Sequence, residues 1–455
     1  MLPDFDLHQV LPLIDRDAIG ICERLGQAGR KGWIVGGCVR DLLLGKKVSD
    51  WDIATDARPG EVMKLFPRVV PTGIEHGTVS VILRGRPYEV TTLRGDVAYS
   101  DGRRPDSVVF VDDIAADLAR RDFTINAMAI DPLGPALIDP WEGRGDLAAR
   151  QLRAVGDPMA RFAEDGLRVL RAARFTATLE CTIEGQTMAA IAPNLGTYRK
   201  VSSERIRDEW VKTMVAKEPS RAFEVMRSTG ILQATLPELM ESVGCEQNRH
   251  HAYDVWTHSM VCLDACEGDP PLRLAALLHD LGKPRTRARS EKTGDFTFYN
   301  HETVGADMAR AALTKLRFSN EECERIALLV RNHLVCYSDE WTDAAVRRFL
   351  RRVTRERIDD LYALNRADLL AKGKDVSSDL EGLERLKVRV AAVLAAKDAL
   401  SVRELKVGGH DVMRELGIAP GRRVGEILEH LLEMVVEDPS LNDRETLLQL
   451  IRKMR

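Results

Sequence analysis

The residues with the clearest chemical potential lie in one short stretch near the amino terminus. Two carboxylates, Asp50 and Asp52, alternate with apolar residues, which predicts a β-strand that carries both acids on one face. Upstream, an apolar run ends in Gly36-Gly37, where a backbone can approach a phosphate closely. Arg40 follows on the next helical turn, where its guanidinium can contact triphosphate oxygens. These parts predict nucleotidyl transfer, with Mg²⁺ held by Asp50 and Asp52.

A third carboxylate and a polar segment follow. Glu89 alternates with apolar neighbours on a predicted strand, so it is either a third acid beside Asp50 and Asp52 or an ordinary glutamate at a sheet edge. Residues 94–106 are polar and contain two glycines, which predicts a mobile loop.

Residues 120–129 read Arg-Arg-Asp-Phe-Thr-Ile-Asn-Ala-Met-Ala and place a cation beside two hydrogen-bonding side chains. Arg121 can neutralise triphosphate charge, and Asp122 and Asn126 can fix the triphosphate and its ribose by hydrogen bonds. The alternative interpretation is a basic residue that caps an apolar segment.

A second charged series lies at residues 164–175. Asp165, Arg168, Arg171 and Arg174 step by three, which predicts that neighbours lie side by side on one helix. A chain of ion pairs on a solvated helix face is the ordinary meaning of such a pattern.

Histidine and carboxylate side chains recur in the second half of the chain. The series comprises His258, His279, Asp280, His301, His333 and Asp368. Imidazole with carboxylate suits a transition metal better than Mg²⁺ alone, so the series predicts a second metal site. A lone histidine would more simply be a structural residue.

Together, the motifs of the first half resemble those of nucleotidyltransferases of the DNA polymerase β superfamily. Within it, they are similar to the class of bacterial tRNA nucleotidyltransferases and poly(A) polymerases, most strongly from residue 34 to 175. The resemblance implies an α+β fold: a polymerase β-like nucleotidyltransferase head and a long all-α body that includes an HD-type helical domain. It also implies that a third acid such as Glu89 acts on the attacking hydroxyl, and that the loop at 94–106 supports a switch to ATP.

In that class a Glu-Asp-x-x-Arg motif, here Glu164 to Arg168, replaces a nucleic-acid template. Ionised Asp165 only accepts hydrogen bonds and Arg168 only donates them. Cytosine and adenine each present an amino donor beside a ring-nitrogen acceptor, so both complement this pair. Uracil and guanine present the opposite pattern and would leave buried polar groups unpaired. Arg171 and Arg174 would then reach the triphosphate.

The order of histidines and aspartates resembles the HD phosphohydrolases. That resemblance implies a divalent transition metal, such as Mn²⁺, Ni²⁺ or Co²⁺, with four ligands: His258, His279, Asp280 and Asp368. A second metal could be held by His301 and His333.

The resemblance implies a CTP(ATP):tRNA nucleotidyltransferase that builds or repairs the 3′-terminal CCA of tRNA without a template. Its partners would be the tRNA acceptor end, CTP and ATP, and the HD domain would add a phosphohydrolase activity. A poly(A) polymerase or an A-only enzyme would share every motif through Arg174. An HD phosphohydrolase with an inactive head is a further alternative. A non-enzymatic RNA binder is disfavoured, because binding needs no metal carboxylates together with a base-selecting pair.

Hydrophobic periodicity predicts the strands and helices that carry these residues. Short β-type runs predict strands at 33–35, 51–54, 79–83, 88–92, 108–111 and 127–130. Beyond residue 140 apolar residues recur at helical spacing. Four domains are expected: a nucleotidyltransferase head (1–140), a nucleobase-recognition and RNA-binding helical domain (141–240), an HD domain (241–375) and a carboxy-terminal helical tRNA-binding domain (376–455).

Bulk properties restrict the class of protein. The 455 residues are 44% hydrophobic and 30% charged, as expected for a soluble protein of several domains. The net charge of −4 argues against a protein that coats nucleic acid non-specifically. No membrane span or signal peptide is predicted, and eight scattered cysteines are typical of reduced thiols in a cytoplasmic protein.

Overall fold

The computed structural model describes residues 10–95, 109–396 and 399–454. The chain divides into two compact units, Met1–Pro237 and Glu238–Arg455, which are described separately. The predicted loop at 94–106, and with it the start of the strand predicted at 108–111, falls almost entirely outside the described residues.

The first unit is built on a seven-stranded sheet with the order β3-β4-β5-β2-β1-β6-β7. Its strands are β1 (Gly32–Val35), β2 (Asp52–Thr55), β3 (Val69–Gly73), β4 (Thr78–Leu83), β5 (Arg86–Thr92), β6 (Ala129–Asp131) and β7 (Ala136–Ile138). Strands β2 and β5 are parallel, whereas the other neighbours are antiparallel. Five predicted strands are confirmed within a few residues. Strands β3 and β7 were not predicted, and the predicted strand at 108–111 is reduced to a single bridge between Arg94 and Phe110.

One face of the sheet carries an apolar cluster that includes Trp33, Val35 and Ala54, at alternating positions of β1 and β2. The helices of the sheet region are α1 (Arg16–Gln27), α2 (Gly37–Leu43), α3 (Pro59–Leu65), α4 (Ile114–Ala119) and α5 (Gly143–Ala148). Ile114 and Leu118 of α4 complete the cluster on this face.

Helices dominate the rest of the first unit, as predicted. They are α6 (Pro158–Glu164), α7 (Leu167–Thr178), α8 (Gly185–Ala189), α9 (Leu195–Tyr198), α10 (Ser203–Met214), α11 (Ser220–Thr229) and α12 (Ile231–Thr235), with a short pair of strands, β8 (Gln151–Leu152) and β9 (Thr182–Ile183). The short helix α13 (Pro237–Met240) spans the boundary at which the chain is divided. Helix α7 packs against α10 and α11. The fully buried ring of Phe123 contacts Phe162 of α6 and Phe175 of α7 edge to face, which fixes both helices on the sheet region.

The second unit is helical apart from a hairpin of two short strands, β10 (Ala288–Arg289) and β11 (Phe296–Thr297). Its helices are α14 (Val255–Ala265), α15 (Pro270–Leu278), α16 (Lys283–Thr286), α17 (His301–Lys315), α18 (Asn320–Asn332), α19 (Asp343–Val353), α20 (Ile358–Ala371), α21 (Ser377–Ala395), α22 (Gly409–Leu416), α23 (Arg422–Glu437) and α24 (Arg444–Lys453). Helices α14, α15, α17, α18 and α20 pack together, and the last three helices form their own apolar core.

The α+β head and the helical body are therefore confirmed. Among the described residues, no helix combines the length and the apolar character needed to cross a bilayer. All eight cysteines lie in the described part of the chain without disulfide partners, and seven are buried, whereas Cys336 is exposed.

Candidate functional site

Two carboxylates meet where β2 and β5 run side by side. Asp52 and Glu89 are directly paired residues of these parallel strands, so their side chains lie on the same face of the sheet. Burial raises the pKa of Asp52 to about 6, and although Arg121 opposes this shift, the negative charges of Glu89 and Asp50 add to it. This arrangement places acidic groups close together on two inner strands of the sheet, where a divalent cation would neutralise their charge.

Asp50 lies outside the strand. The prediction that one strand carries both Asp50 and Asp52 is wrong, because β2 begins at Asp52. Asp50 is exposed and accepts a hydrogen bond from Ser49 Oγ at 3.0 Å. Its charge still raises the pKa of Asp52, so the two acids remain electrostatic neighbours.

The glycine turn accommodates an arginine. Gly36 has a φ of +80°, and a Cβ atom there would overlap the guanidinium of Arg121. Arg121 also donates to the Asn126 carbonyl oxygen at 3.4 Å and pairs with Asp117 at 3.5 Å. Glycine at this position therefore brings a cation close to the backbone after β1.

Arg40 is engaged within the protein. Gly37 starts α2, and Arg40 on that helix donates to both carboxylate oxygens of Asp41 at 2.9 Å and to Asn126 Oδ1 at 2.7 Å. Its guanidinium also lies over the ring of Phe175. The structure thus places Arg40 beside the site and not among the residues that line its cavity.

A cavity of about 350 Å³ opens beside the two paired strands. Its charged lining residues are Asp52, Glu89, Arg94, Asp117, Arg120, Arg121, Asp122, Asp165, Arg168, Arg171 and Arg205. One cavity therefore combines the carboxylates of the sheet with residues of α7, α10 and the segment after α4.

Asp122 and Arg171 form the innermost ion pair of this cavity. Arg171 donates to Asp122 Oδ2 through Nε at 2.7 Å and Nη2 at 2.6 Å, while Asn126 Nδ2 donates to Oδ1 at 3.0 Å. Burial disfavours the carboxylate, but Arg171, Asn126 and Arg168 outweigh it and lower the pKa of Asp122 to about 2. Asp122 therefore holds Arg171 in place as a permanent anion.

The charged series at 164–175 does not form one helix, so that prediction is wrong. Helix α6 ends at Glu164 and α7 begins at Leu167, with Asp165 extended between them at φ −143° and ψ 107°. Asp165 Oδ1 accepts from the Leu167 N–H at 3.0 Å, as expected of a capping aspartate. Gly166, the next residue, permits a close approach of the backbone at Thr197, because a Cβ atom on it would overlap that backbone.

Arg168 and Asp165 consequently have different partners. Arg168 donates to Glu164 Oε2 at 2.6 Å and, at 2.8 Å each, to the carbonyl oxygens of Arg161 and Arg120. Asp165 is held by Arg205 of α10, at 3.2 Å to Oδ1 and 2.7 Å to Oδ2. Arg205 was not predicted from the sequence, because no local spacing connects it with an aspartate forty residues earlier.

Arg174 is not among the residues that line the cavity. It is buried, its Nε donates to Glu209 Oε2 at 2.5 Å, and its guanidinium lies 4.0 Å from the ring centre of Phe175. The expectation that Arg174 reaches a triphosphate is therefore not met by its position, although Arg171 does line the cavity.

The predicted histidine and aspartate series converges in the second unit. His258 lies on α14, His279 follows α15, His301 starts α17, His333 follows α18 and Asp368 lies on α20, with His279 preceding Asp280. All six side chains are buried. Two groups can each hold a metal: His258, His279 and Asp280, and Asp280, His301 and His333. Five elements thus build one centre.

Asp280 stands between the two groups. Its Oδ2 lies 3.2 Å from His279 Nε2 and 3.5 Å from His258 Nε2, whereas its Oδ1 lies 3.5 Å from His301 Nε2 and 3.7 Å from His333 Nε2. Asp368 adds a carboxylate 3.0 Å from His258 Nε2 on the Oδ2 side. Lys283 forms an ion pair with Oδ2 at 2.6 Å, yet within the described part of the chain neither oxygen of Asp280 accepts a hydrogen bond of normal geometry. Buried carboxylate oxygens in this situation fit metal ligands.

The histidine rings are oriented by the backbone. In each of the four, Nδ1 lies 2.7–3.1 Å from a carbonyl oxygen, and Nε2 points to the centre; the acceptors belong to Ala371, Ala276, Phe298 and Val330. A proton on Nδ1 leaves the Nε2 lone pair free for a metal. Burial, with help from His279, lowers the pKa of His333 to about 3, so that ring is neutral near pH 7.

A cavity of about 490 Å³ leads to this centre. Aromatic and basic residues line it together with Asp280, His301, His333 and Asp368; among them are Phe296, Phe298, Tyr299, Lys283 and Lys372. The centre is therefore accessible on the side of His301 and His333 and open to an anionic ligand.

The sheet, its paired carboxylates and the arginine-lined cavity define a nucleotidyltransferase head. Family models agree with that class: the poly A polymerase head domain matches residues 32–153, the probable RNA and SrmB-binding site of polymerase A matches 181–242, and the HD domain matches 251–373.

Whole-length relatives identify the family. The CCA-adding enzyme of Lactobacillus johnsonii is 32% identical over 97% of this chain and 98% of its own, and that of Ligilactobacillus salivarius is 31% identical over 96% of both. The crystal structure of the Bacillus stearothermophilus CCA-adding enzyme in complex with CTP aligns with a TM-score of 0.75 and 29% identity, covering 96% of this chain and 97% of that one. The chain belongs to the family of CCA-adding enzymes.

Proposed function

We propose that the protein is a CTP(ATP):tRNA nucleotidyltransferase that adds or repairs the 3′-terminal CCA of tRNA without a nucleic-acid template. The observation that carries the proposal is the cavity in which Asp52 and Glu89 face Asp165, Arg168 and Arg121. Nucleotidyl transfer needs carboxylates at the reacting phosphate, cations at the triphosphate and a means to select the base. This cavity contains side chains suited to each task.

The carboxylates fit a Mg²⁺ ion, because Asp52 carries a raised pKa beside the charges of Glu89 and Asp50, with Arg121 as the opposing cation. Asp50 and Asp52 would hold the ion, with Glu89 as the neighbouring third acid. When bound, Mg²⁺ supplies polarisation of the α-phosphate and stabilisation of the leaving pyrophosphate. Glu89 would then accept the proton of the attacking 3′-hydroxyl.

Two of the arginines that line the cavity suit the triphosphate. Arg121 and Arg171 would neutralise its charge, with Arg171 oriented by Asp122. Arg40 and Arg174 are bonded to Asn126 and Glu209 outside this lining, so we propose for them a supporting role in place of direct contact with the triphosphate.

Asp165 and Arg168 select the base. The carboxylate accepts from the amino group of cytosine or adenine, and the guanidinium donates to the ring nitrogen beside it. Uracil or guanine would set acceptor against acceptor and donor against donor in a partly buried site.

Replacing Asp165 or Arg168 with alanine should relax discrimination against UTP and GTP more than it weakens triphosphate binding. Each unpaired buried group costs about 1–3 kcal/mol, so the ratio of kcat/KM for CTP over UTP should fall by about 10- to 100-fold. Arg168→Ala also removes bonds to Glu164 and two carbonyl groups, so Asp165→Ala is the cleaner variant. Loss of activity with unchanged C and A selection would show that the pair is only structural.

The loop around residues 100–104, outside the described residues, is proposed to support the change from C to A addition. Adenine is larger than cytosine, so the base site must change shape, and a glycine-containing polar loop suits that movement. Deleting or stiffening it should impair A addition to a transcript ending in CC while C addition continues. Equal loss of both additions would indicate general structural damage.

The HD centre is proposed to bind a divalent transition metal, Mn²⁺, Ni²⁺ or Co²⁺, through His258, His279, Asp280 and Asp368. The converging Nε2 atoms and the buried oxygens of Asp280 support this ligand set, and His301 with His333 would hold a second ion at the opposite oxygen. Such ions supply a nucleophilic water at neutral pH. We propose that the centre hydrolyses a phosphoester, with a 2′,3′-cyclic phosphate at a damaged tRNA end as the substrate.

The chain is proposed to consist of four domains. The head would extend over 1–140, the base-selecting and RNA-binding helices over 141–240, the HD domain over 241–375 and the tRNA-binding tail over 376–455. The matched family ranges and the division of the chain after Pro237 support these limits. The site of action would be the cytoplasm.

Three tRNA transcripts test the proposal, ending before CCA, after C and after CC, each incubated with single nucleoside triphosphates. We expect C addition to the first two and A addition to the third. The named relatives disfavour a poly(A) polymerase or an A-only enzyme, which would add A to all three or to the last alone. An HD phosphohydrolase with an inactive head would add nothing.

A further inference from the structure

The carboxylate of Asp165 is almost fully engaged before any nucleotide binds. Oδ1 accepts from the Leu167 N–H at 3.0 Å and from Arg205 Nη1 at 3.2 Å, and Oδ2 accepts from Arg205 Nη2 at 2.7 Å. A carboxylate oxygen accepts about two hydrogen bonds, so among the described residues these contacts leave one position open, on Oδ2. Asp165 and Arg205 both line the cavity that contains Asp52.

Arg205 is itself fixed by the helix that carries it. Glu209, one turn further along α10, is buried and bonded to Arg174 at 2.5 Å and lies 3.9 Å from Arg171. Both arginines belong to α7, so α10 is anchored on α7 by buried ion pairs. The position of the Arg205 guanidinium therefore follows from the same packing that positions α7.

We infer that Arg205 is a positioning residue for base selection: its two-point contact orients Asp165 so that one acceptor position of Oδ2 remains for the amino group of the incoming base. The inference rests on the proposed base-reading role of Asp165. The planar fork of an arginine fixes a carboxylate in one plane, whereas a single donor lets it rotate. A fixed acceptor discriminates against a carbonyl oxygen, because neither partner can turn away.

Loss of Arg205 should therefore affect which nucleotide is used more than how fast the bond forms. With Arg205→Ala, Asp165 keeps its bond to the Leu167 N–H but can rotate about it, so the acceptor is no longer presented in one direction. UTP then meets less repulsion, and CTP loses an oriented partner.

The test compares Arg205→Ala, Arg205→Lys and the matched control Arg207→Ala in the full-length protein. Arg207 lies on the same helix and pairs with Asp208 at 2.8 Å. Kinetics with CTP and UTP on a tRNA transcript lacking CCA should show that Arg205→Ala lowers the kcat/KM ratio of CTP over UTP about tenfold or more. The change should appear mainly in KM for CTP. Arg205→Lys should recover part of the ratio, and Arg207→Ala should match the wild type.

A double-variant cycle separates this inference from the proposed function. In an Asp165→Ala background, Arg205→Ala should cause no further change in the ratio. If Asp165→Ala alone keeps strict selection, the base-reading proposal fails. If Asp165→Ala relaxes selection but Arg205→Ala behaves like Arg207→Ala, the positioning role is overturned. An equal loss of kcat/KM for both triphosphates would overturn it too, since that result indicates a general structural role.

Discussion

Replacing Asp52 with alanine should abolish nucleotide addition, by about 10³-fold or more, and leave the fold and tRNA binding largely intact. A catalytic divalent ion contributes several kcal/mol to transition-state stabilisation, and each 1.36 kcal/mol is tenfold in rate. Asp52 is the carboxylate that lines the cavity beside Glu89 and Arg121. Its removal also relieves the repulsion among the acids, so the folded protein should not be destabilised.

Asp50→Ala should likewise abolish addition, although Asp50 is exposed and precedes the strand. Asp112→Ala is a matched control in the same unit, because Asp112 is exposed and its ion pair with Arg58, at 3.8 Å, lies on the surface. Single-turnover incorporation of CTP into a truncated tRNA, with tRNA binding measured in parallel, checks both variants. Near wild-type incorporation by Asp52→Ala or Asp50→Ala would contradict the catalytic assignment.

The second large effect concerns the HD centre. The double variant His279→Ala, Asp280→Ala should lose its bound transition metal and its phosphoester hydrolysis while CCA addition continues. Both side chains belong to the same candidate metal group, with His258, and lie in a different compact unit from Asp52. Metal content by elemental analysis and hydrolysis of a 2′,3′-cyclic phosphate with added Mn²⁺, Ni²⁺ or Co²⁺ are the measurements.

The controls address the risk that a buried double substitution disturbs folding. Circular dichroism should show unchanged helix content, and His430→Ala, at an exposed histidine of α23 outside the centre, should retain metal and hydrolysis. A wild-type protein that binds none of the three metals and shows background hydrolysis would contradict the proposal. The HD domain would then be a tRNA-binding scaffold.

The parts of the site that depend on strand periodicity were predictable. Alternation correctly predicted strands around Asp52 and Glu89, but it could not show that β2 and β5 pair in parallel with these two residues in register. Pairing is a long-range property, set by the packing of both strands into one sheet. The same periodicity wrongly placed Asp50 on the strand, two residues before β2 begins.

The single helix predicted at 164–175 shows where residue spacing misleads. Steps of three suggested a continuous helix, yet Asp165 caps α7 through its bond to the Leu167 N–H. Aspartate is favoured at a helix start, because its side chain accepts from a backbone N–H that has no partner within the helix. Once the helix breaks there, Asp165 is free to pair with Arg205. Neither that pair nor the burial of Arg174 against Glu209 has a local signal, since both arise from the packing of α7 on α10.

The ligand residues of the HD centre were more predictable than their arrangement in space. Each ligand was indicated by residue type and order along the chain, because metal shells demand a small set of side chains. The orientation of the histidine rings by backbone carbonyls, and the division of the centre at the two oxygens of Asp280, depend on five packed elements and were not predictable.

Sequencing the products of one reaction shows which nucleotides the protein adds and in what order. Wild-type protein, Mg²⁺ and all four nucleoside triphosphates are incubated with a tRNA transcript that lacks CCA. One protein cavity that selects C and A without a template should produce C, C and A in that order and then stop. Tails of repeated A, addition of A alone, or incorporated U or G at the level of C and A would contradict the account.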